Sequence, residues 1–581
     1  MDAPPSNKRL ASLLNEIADL MEIDEADAFR IRSYRNAAQV IQSHPESLAE
    51  LAADPRRELT EVKGVGKGLR SILEELIARG TCARREELLA KYPPVALDLL
   101  RIGGLGPKTI ALIHRHFPLQ NLDDLERLAR EGKLRALPRL GEKFEQKLLR
   151  GLEGARRQQG RFLRNIVERA AEELKADLEA LPGVERVEAA GSLRRGRETI
   201  GDLDLVVAGP AAAEALDRAA TLPTVTETLA RGDRKVSVRL GRRGLQADLR
   251  AVDSDSFGAA WQYFTGGKEH NVALRSRAVA RGWRLNEYGL FRAEDGDRIA
   301  SASEEEIYAA FGLPWIPPEL REGIGEIEAA ERGALPRLIE LEDLRGDVHM
   351  HTVATDGRFT IEQMARAAQE RGLRYIAITD HSKAIAMANG LDERRLAEQV
   401  REVRDLDRRL DGIRILAGCE VDILRDGRLD LADDALAELD VVIGSVHSQL
   451  DLESETMTER LLRAIENPRL DILGHPTGRR LLRREASSFD FERVAAAAVA
   501  AGVALEINSS PERLDLGAVE IRRARALGAR FVISSDAHHV RNFELLRHGV
   551  VTARRGWLSP EDVLNTLDEG EFLKALRRNR R

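Results

Sequence analysis

Two aspartates, Asp202 and Asp204, stand at the start of an apolar run. The run includes Leu203 and residues 205–207, so it predicts a buried strand in which residues i and i+2 share a face. Two carboxylates on one face repel each other unless cations lie between them. The segment LQADLRAV supplies Asp248 on what we expect to be a neighbouring strand. The three carboxylates suit two hard cations, although paired aspartates also occur at solvent edges without any ligand.

The segment GSLRRG, which precedes these aspartates, is suited to contact a phosphate. Ser192 and Arg195 can donate hydrogen bonds to phosphate oxygens. Gly191, Gly196 and Gly201 allow the backbone to approach closely. Metal-binding carboxylates beside groups that donate hydrogen bonds to phosphate indicate a nucleotidyl-transfer site.

Histidines and acids recur at the ends of predicted strands in the last third of the chain. A lone histidine is more often a hydrogen-bonded structural residue than a ligand. Here the pattern repeats after apolar strands, and in a βα barrel the strand carboxyl ends meet at one mouth. Imidazole and carboxylate groups suit Zn²⁺, Mn²⁺ or Fe²⁺, and nine of them suffice for three ions. The nine are His349, His351, Asp356, His381, Glu420, His447, His475, Asp536 and His538.

A glycine-containing pattern recurs in the N-terminal region, as VKGVGKG, IGGLGPK and LPRLGEK. Its first two copies carry Gly64, Val65 and Gly66, and Gly104, Leu105 and Gly106. Such turns expose backbone N–H groups at a helix start, which captures a phosphate without reading base sequence. The third copy has Arg139 in place of the first glycine, so it could serve packing only.

The composition is that of a globular protein of several domains, with 581 residues of which 43% are hydrophobic and 32% charged. There is no run of about 20 apolar residues and no secretory signal, which excludes a membrane-spanning protein. The two cysteines, Cys82 and Cys419, exclude a disulfide framework and indicate a reducing, cytoplasmic compartment. The net charge is −7, yet residues 51–150 carry 20 basic against 14 acidic side chains, which fits contact with nucleic acid.

The segment 191–204, Asp248 and the stretch 263–290 together resemble the palm and thumb of family X DNA polymerases, of the polymerase beta kind. The glycine turns resemble helix-hairpin-helix motifs, which implies a monovalent cation held by carbonyls of each hairpin. The resemblance implies that the three aspartates bind two Mg²⁺ or Mn²⁺ ions and carry catalysis. It further implies a triphosphate site at Gly191, Ser192, Arg195 and Gly201, a sugar and base site at Tyr263, Phe264, Gly266, Lys268 and Asn271, and contact of Arg275 with the template strand.

Two positions depart from the pattern of animal relatives. Lys268 stands where those relatives carry an acid, and it could hold a nucleotide without template or be a plain surface lysine. Ile72 stands where relatives with 5′-deoxyribose-phosphate lyase activity carry a Schiff-base lysine. Isoleucine cannot form an imine, so we expect that activity to be absent or carried by another amine.

The nine histidine and acidic positions resemble the PHP (polymerase and histidinol phosphatase) domain, a distorted seven-stranded barrel with a trinuclear metal site. A family X polymerase fused to a PHP domain is the arrangement of the bacterial PolX family. The predicted fold is therefore multidomain, with an α-helical N-terminal region, an α+β nucleotidyltransferase palm and thumb, and a C-terminal (β/α)7 TIM-like barrel. We expect an 8-kDa-like domain at 1–90, a fingers-like domain at 91–160, the palm at 161–262, the thumb at 263–316, a linker at 317–343 and the barrel at 344–575.

The resemblance implies a monomeric repair enzyme that acts on gapped or nicked DNA with dNTPs. It would fill gaps and trim 3′ ends by 3′→5′ exonuclease action, with cleavage at abasic sites as a further activity. Two other readings stay open at this point: the barrel could be a small-molecule phosphatase, or the chain could be a DNA-binding scaffold with vestigial centres. The complete sets of carboxylates and ligands argue against the scaffold.

Overall fold

The computed structural model describes residues 160–241 and 243–576, and residues 5–152 apart from 6, 45, 55, 63, 93–94, 100–104, 118, 120, 139, 147 and 150–151. It divides the chain into two compact units, Met1–Gln159 and Gly160–Arg581. In the described parts of the chain, no helix is both long and apolar enough to cross a membrane.

The first unit is helical, and one apolar core runs through it. Its helix starts follow local capping rules: Asp27 accepts two hydrogen bonds, and Asn121 one, from backbone N–H groups of the helices that they precede. The predicted helical period of the first helix is confirmed, because Leu10, Leu13 and Ile17 are fully buried. The α-helices are Asn7–Ile23, Ala28–Ser43, Leu48–Ala53, Lys67–Arg79, Ala83–Lys91, Val95–Leu99, Pro107–His116 and Leu122–Arg130, with short 3₁₀ helices at Leu59–Glu61 and Leu134–Ala136.

The second unit begins with a five-stranded sheet, in the part expected to be the palm. Strand β1 (Phe162–Leu163) pairs with β3 (Thr199–Ile200), and the larger sheet has the order β2-β4-β7-β6-β5. Only the central pair, β4 with β7, is parallel. The strands are β2 (Arg186–Ala189), β4 (Asp202–Ala208), β5 (Val225–Gly232), β6 (Lys235–Leu240) and β7 (Leu245–Val252), and the helices are Arg164–Glu179, Gly191–Arg194 and Ala212–Ala220.

Helices and a small antiparallel sheet follow, in the part expected to be the thumb. The sheet has the order β10-β9-β8 and packs on a separate apolar core. Its strands are β8 (Trp283–Asn286), β9 (Gly289–Arg292) and β10 (Arg298–Ala300); the helices are Phe257–Thr265, Lys268–Ala280 and Glu304–Ala310, with a 3₁₀ turn at Ser254–Ser256.

Residues 317–343, expected to be a linker, contribute side chains to the apolar core of the thumb. They form a 3₁₀ turn at Pro318–Leu320, a helix at Glu326–Glu331 and a second 3₁₀ turn at Leu341–Asp343. Arg321 and Glu326 are buried there and pair with thumb residues. The buried charges that anchor the segment pair with residues of other elements, so no local pattern in the sequence marks them.

The rest of the second unit is a barrel of seven parallel strands in sequence order, as predicted. A parallel bridge between Met350 and Ala537 joins the extensions of the first and last strands. Alternate residues of β12 enter two cores, with Ile376 on the helix side and Tyr375 inside the barrel. The strands are β11 (Gly346–Asp347), β12 (Tyr375–Ile378), β13 (Arg414–Asp422), β14 (Val441–Ser445), β15 (Ile472–Leu473), β16 (Ala504–Asn508) and β17 (Phe531–Ser534).

Helices surround these strands, and the last helix closes one end of the barrel. Phe572 of that helix is fully buried, with its ring 5.3 Å from that of Tyr375 at the start of β12. The strand carboxyl ends lie at the opposite mouth. The α-helices are Ile361–Glu370, Glu393–Arg409, Asp433–Ala437, Ser454–Glu466, Phe491–Ala501, Ala518–Ala526, Leu546–Arg555 and Glu569–Ala575, and the 3₁₀ turns are Ala386–Ala388, Val540–Leu545, Pro560–Asp562 and Leu564–Thr566.

A buried ion cluster joins the palm, the thumb and the segment after it. Glu304 accepts bidentate hydrogen bonds from Arg194 at 2.6 and 2.8 Å and from Arg321 at 2.6 and 2.9 Å. The Trp315 indole donates to the same carboxylate at 2.8 Å. Burial acts to raise the pKa of Glu304, but the hydrogen bonds and charges of the two arginines outweigh it and lower the pKa to about 2.

We predict that Glu304→Gln destabilises the second unit by about 3 kcal/mol, because it leaves two buried guanidinium groups without an opposite charge. Denaturant unfolding followed by tryptophan fluorescence measures this, since Arg194 stacks 3.3 Å from the centre of the Trp261 ring. The matched control is Glu305→Gln on the same helix, where the side chain is exposed. A loss no larger than that of the control would contradict a structural role for the cluster.

Candidate active sites

The parallel pairing of β4 with β7 brings the three predicted carboxylates together. Asp204 lies opposite Asp248 in the strand register, and Asp202 precedes it on the same face. Burial raises the pKa of Asp204 to about 7, and the charges of Asp202 and Asp248 act in the same direction. A nearby cation would stabilise the ionised form of this buried carboxyl group, so the three carboxylates fit divalent metal ions.

Lys235, which was not predicted from the sequence, supplies a positive charge beside this set. Its Nζ lies 2.6 Å from Oδ2 of Asp248, and Gln246 donates to Oδ1 of the same carboxylate at 3.0 Å. Burial acts to raise the pKa of Asp248, but the hydrogen bonds from Lys235, Gln246 and Ser237 outweigh it and lower the pKa. The one available signal was a basic residue at the start of the apolar strand KVSVRLG.

Gly191 lies directly against the carboxylates, as its predicted role in close approach requires. A Cβ atom there would stand 2.2 Å from Oδ2 of Asp204, and its φ of +57° favours glycine. Ser192 follows in the short helix Gly191–Arg194, and Gly201 precedes β4. The candidate phosphate donors therefore adjoin the carboxylates.

The Arg195 guanidinium has two partners, one in the thumb and one in the segment after it. It donates to the carbonyl of Thr265, and its Nε lies 3.3 Å from Glu322. A Cβ on Gly266 would stand 3.1 Å from Nη1 of Arg195, so this glycine allows the guanidinium to lie against the thumb backbone. Glu322 was not predicted, because its segment was taken for a linker.

The thumb residues predicted to contact sugar and base lie together around Asn271. Its amide donates to the carbonyl of Tyr263 at 2.7 Å and accepts from Gln262 at 2.9 Å. The ring of Tyr263 makes an edge contact with that of Phe264, with centroids 5.2 Å apart. Lys268 and Arg275 are exposed on the helix Lys268–Ala280, which also carries Asn271.

The first hairpin has the geometry that phosphate capture needs. Gly64 adopts φ +89°, Val65 is buried beneath the turn, and Gly66 precedes the helix Lys67–Arg79 with open space where a side chain would be. In the second hairpin, Leu105 is buried and Gly106 precedes Pro107–His116 in the same way. Gly104, and Arg139 of the third copy, lie outside the described residues. Ile72 is half-buried against the core of the first unit.

All nine predicted ligands of the barrel meet at its mouth. Three groups have candidate ligand atoms within 4.8 Å of one another, and His475 adjoins them through a contact of 2.9 Å with Glu420. The groups are His351, Asp356, His381 and His538; His349, His351 and Asp536; and His381, Glu420 and His447.

The donor atoms of this cluster fit metal ions. Within the described residues, both ring nitrogens of His351 and one each of His349, His381 and His475 are buried without a well-aligned hydrogen bond, although those of His349 and His381 lie 3.4 and 2.8 Å from oxygens of Glu420. An orphaned buried imidazole nitrogen is costly unless an ion takes the place of the missing donor or acceptor. Nitrogen and carboxylate donors together suit Zn²⁺, Mn²⁺ or Fe²⁺.

The electrostatics of the cluster show how strongly it attracts positive charge. Burial acts to raise the pKa of Glu420, but the charges of His447 and His349 outweigh it and hold the pKa well below its usual range. Burial acts to lower the pKa of His381, but Glu420 and Asp356 outweigh it and raise the pKa to about 10. His351 lies between other imidazoles, and its pKa is lowered to about 4, first by burial and then by the charges of His538 and His381.

Two carboxylates outside the predicted set orient the ligands. Glu506 of β16 lies 2.6 Å from Nδ1 of His349 and accepts the backbone N–H of His475 at 2.6 Å. Asp422 at the end of β13 lies 3.1 Å from Nδ1 of His447. Such contacts fix the ring orientation and leave the other nitrogen for a metal. An acid inside the apolar run VALEINS was the signal for Glu506.

Four family models match stretches of this chain. Models of a helix-hairpin-helix domain and a SAM-like helix-hairpin-helix tandem match residues 5–82 and 96–153. Models of the DNA polymerase beta thumb and of the PHP domain match residues 260–322 and 347–510.

Similarity to one bacterial protein extends over the whole chain. The chain is 37% identical to the DNA polymerase/3'-5' exonuclease PolX of Bacillus subtilis (strain 168) over 573 residues, which cover 98% of this chain and 99% of the relative. The barrel alone resembles probable phosphatases. One from Shewanella sp. (strain MR-4) is 36% identical over 33% of this chain and 75% of its own length, and one from Thermoanaerobacter sp. (strain X514) is 30% identical over 40% and 95%.

The polymerase and PHP parts thus occur together in a relative of nearly equal extent, in the order that the sequence predicted. The palm carboxylates, the thumb and the barrel ligands of this chain all fall within that alignment's span. The chain belongs to the PolX family, in which a family X DNA polymerase is joined to a C-terminal PHP phosphoesterase domain.

Proposed function

We propose that this protein fills short gaps in DNA at the palm and removes 3′-terminal nucleotides at the barrel. The register of Asp204 with Asp248, with Asp202 on the same face, is the observation that carries the first activity. Divalent cations held there would neutralise the incoming triphosphate and lower the pKa of the primer 3′-hydroxyl. Mg²⁺ is the ion that an all-carboxylate set favours.

The chain's own groups position the nucleotide in this proposal. Gly191 and Ser192 bring backbone and hydroxyl donors to the triphosphate, and Arg195 leaves Glu322 to pair with phosphate oxygens. Tyr263 and Asn271 border the sugar and the minor-groove edge of the base. The hairpins at Gly64–Gly66 and at Gly104–Gly106 hold the DNA by its phosphates.

For the barrel, the proposed substrate is the 3′ end of a DNA strand. The printed name of the Bacillus subtilis relative includes this activity, and the nine-residue cluster of the present chain supports metal-assisted phosphoester hydrolysis. Cleavage at abasic sites would use the same chemistry. The second candidate, a small-molecule phosphatase, is favoured by the likeness of the barrel to probable phosphatases.

We predict that Asp248→Ala lowers the rate of nucleotide addition on a one-nucleotide gap by about 10³-fold or more. The substitution removes a carboxylate that is proposed to bind the metal ions and through them to stabilise the transition state. Primer-extension gels with Mg²⁺ measure this, and 3′-end degradation by the same protein is expected to persist. Asp253→Ala is the matched control, since this nearby side chain is exposed and pairs with Arg234 at the surface. Extension at the wild-type rate would remove Asp248 from the mechanism.

We predict that His349→Ala/Glu420→Ala loses bound transition metal and 3′→5′ degradation, while gap filling continues. Elemental analysis and degradation of a mismatched primer with Mn²⁺ report the two losses separately. His539→Ala is the control, because His539 follows a proposed ligand but belongs to none of the three candidate groups. If the double variant, free of contaminating nucleases, still degrades the primer, the assignment of the barrel site is contradicted. If the wild-type protein hydrolyses p-nitrophenyl phosphate but not the primer, the small-molecule phosphatase is favoured.

We predict that Gly66→Val weakens binding to gapped DNA by about tenfold and leaves dNTP selection unchanged, because the hairpin contacts phosphates only. Fluorescence anisotropy against salt concentration measures the affinity. Gly80→Val is the control: Gly80 ends the same helix with φ +70° and open space beside it, so the control reports backbone strain away from the hairpin. Equal effects of the two variants would mean that the turn is structural only.

A further inference from the structure

Four arginines surround one side of the barrel mouth, and the chemistry described above uses none of them. Arg480, Arg483 and Arg484 lie on the loop after His475, and Arg513 lies on the loop after β16. The backbone N–H of Leu481 donates to the carbonyl of Glu512 at 2.7 Å, which ties the two loops together.

This arginine cluster adjoins the metal centre directly. Nε of Arg513 lies 3.8 Å from Oδ2 of Asp536, a proposed ligand, and the Arg513 side chain is only 13% exposed. The positive charge of Arg513 also contributes, after burial, to lowering the pKa of His475. Arg513 is therefore the inner member of the cluster.

Arg480 and Arg484 form its outer edge. Their backbones pair reciprocally, with N–H to carbonyl distances of 2.8 and 2.7 Å, so both side chains leave the same tight turn. The Arg484 guanidinium donates to the carbonyl of Gly478, whereas that of Arg480 has neither a hydrogen bond nor an ion pair with any described residue. Both side chains are exposed.

The cluster carries more positive charge than its own acids balance. Two acids lie on the same loop as Arg513. Glu512 pairs with Arg483 at 3.5 Å, and the carboxylate of Asp515 accepts a hydrogen bond from the backbone N–H of Thr477. Although both residues are exposed, the guanidinium groups of Arg480 and Arg484 are partly removed from water, which lowers the pKa of each, and the charge of Arg513 lowers both further. Like charges held together in this way favour an anion that bridges them.

We propose that Arg480 and Arg484 bind backbone phosphates of a nucleic-acid strand whose 3′-terminal phosphodiester lies at the metal centre. A free phosphate monoester fills the metal centre itself and has no further phosphate to offer these exposed side chains. A polynucleotide has one at every residue, and arginine forks match phosphate geometry. The inference rests on the proposed exonuclease function and deepens it, because it names why the barrel would prefer a strand to a small ester.

The test is competition at the barrel of the full-length, Mn²⁺-loaded protein. The reporter is hydrolysis of the p-nitrophenyl ester of thymidine 5′-phosphate, and the competitor is a thymidine tetranucleotide with cleavage-resistant phosphorothioate linkages. We expect Arg480→Gln/Arg484→Gln to raise the inhibition constant of the tetranucleotide by about tenfold or more. The slope of its logarithm against log salt should become shallower by roughly 1.4, about 0.7 for each charge removed from a single strand.

Two comparisons make the result specific. Arg493→Gln/Arg523→Gln removes the same charge from surface ion pairs with Glu455, Glu459 and Glu492, and should leave the inhibition constant within about twofold. Thymidine 5′-monophosphate, a competitor with no second phosphate, should lose much less affinity than the tetranucleotide. An unchanged inhibition constant, an equal loss for the monophosphate, or an equal effect of the control pair would each overturn the proposal.

The outcome is independent of whether the wild type degrades DNA. Arginine-dependent inhibition by the tetranucleotide in a protein that leaves unmodified 3′ ends intact would refute the exonuclease and support the strand-binding site. Rapid 3′-end degradation that the arginine substitutions do not slow, together with unchanged inhibition, would support the exonuclease and refute the site.

Discussion

One buried carboxylate determines the arrangement of the barrel centre. Glu420 is 1% exposed, and ring nitrogens of His349, His381, His447 and His475 lie within 3.4 Å of its oxygens. A charge so far from water costs several kcal/mol unless opposite charge surrounds it, so its neighbours have to be imidazolium groups or metal ions. Glu420 lies on β13, which pairs with β12 through its first residues and with β14 from Gly418 onward. A Cβ atom on Gly418 would collide with both neighbouring strands, so the glycine allows the close approach that brings ligands from several strands around Glu420.

The palm presents the opposite problem, because it gathers charges of one sign. Asp202, Asp204 and Asp248 have no imidazole among them, and Lys235 forms an ion pair with Asp248. The charges of Arg250 and Lys235 offset only part of the effect on Asp204. Burial, and after it the charges of Asp202 and Asp248, raise the pKa of Asp204 to about 7, and a bound divalent cation would offset this cost. Carboxylates alone favour hard ions, whereas the mixed nitrogen and oxygen donors of the barrel favour transition metals. The two centres of one chain are thus suited to different ions.

The segment that carries the groups predicted to donate hydrogen bonds to phosphate packs against the barrel. Arg164 is 2% exposed; it donates to the carbonyl of Gly196 and to that of His548 on the barrel helix Leu546–Arg555, both at 2.9 Å. A Cβ on Gly196 would stand 2.3 Å from Val551, so the contact is close. On the other side, Arg479 of the barrel pairs with Glu198 at 3.0 Å. The loop between the predicted donors and Asp202 therefore depends on both halves of the unit for its shape.

Most of the residues proposed to carry chemistry could be found from the sequence because they interrupt a predicted apolar strand or closely follow one. The aspartates of β4 and β7 and the barrel ligands other than Asp356 have this mark, whereas Asp356 lies in a turn beyond His351. The seven barrel strands could themselves be predicted from their apolar runs. The residues that support them are harder to find. Glu506 does interrupt an apolar run, but its partner His349 lies 157 residues away, and Arg164, on an ordinary helix, lies 384 residues from His548. In a chain with 32% charged residues, an arginine or glutamate on an ordinary helix looks the same whether it is solvated or buried against a distant element. Periodicity specifies which face of an element is inside, but the partner of a buried charge is fixed only when two distant elements meet, and that information is absent from any local window of sequence.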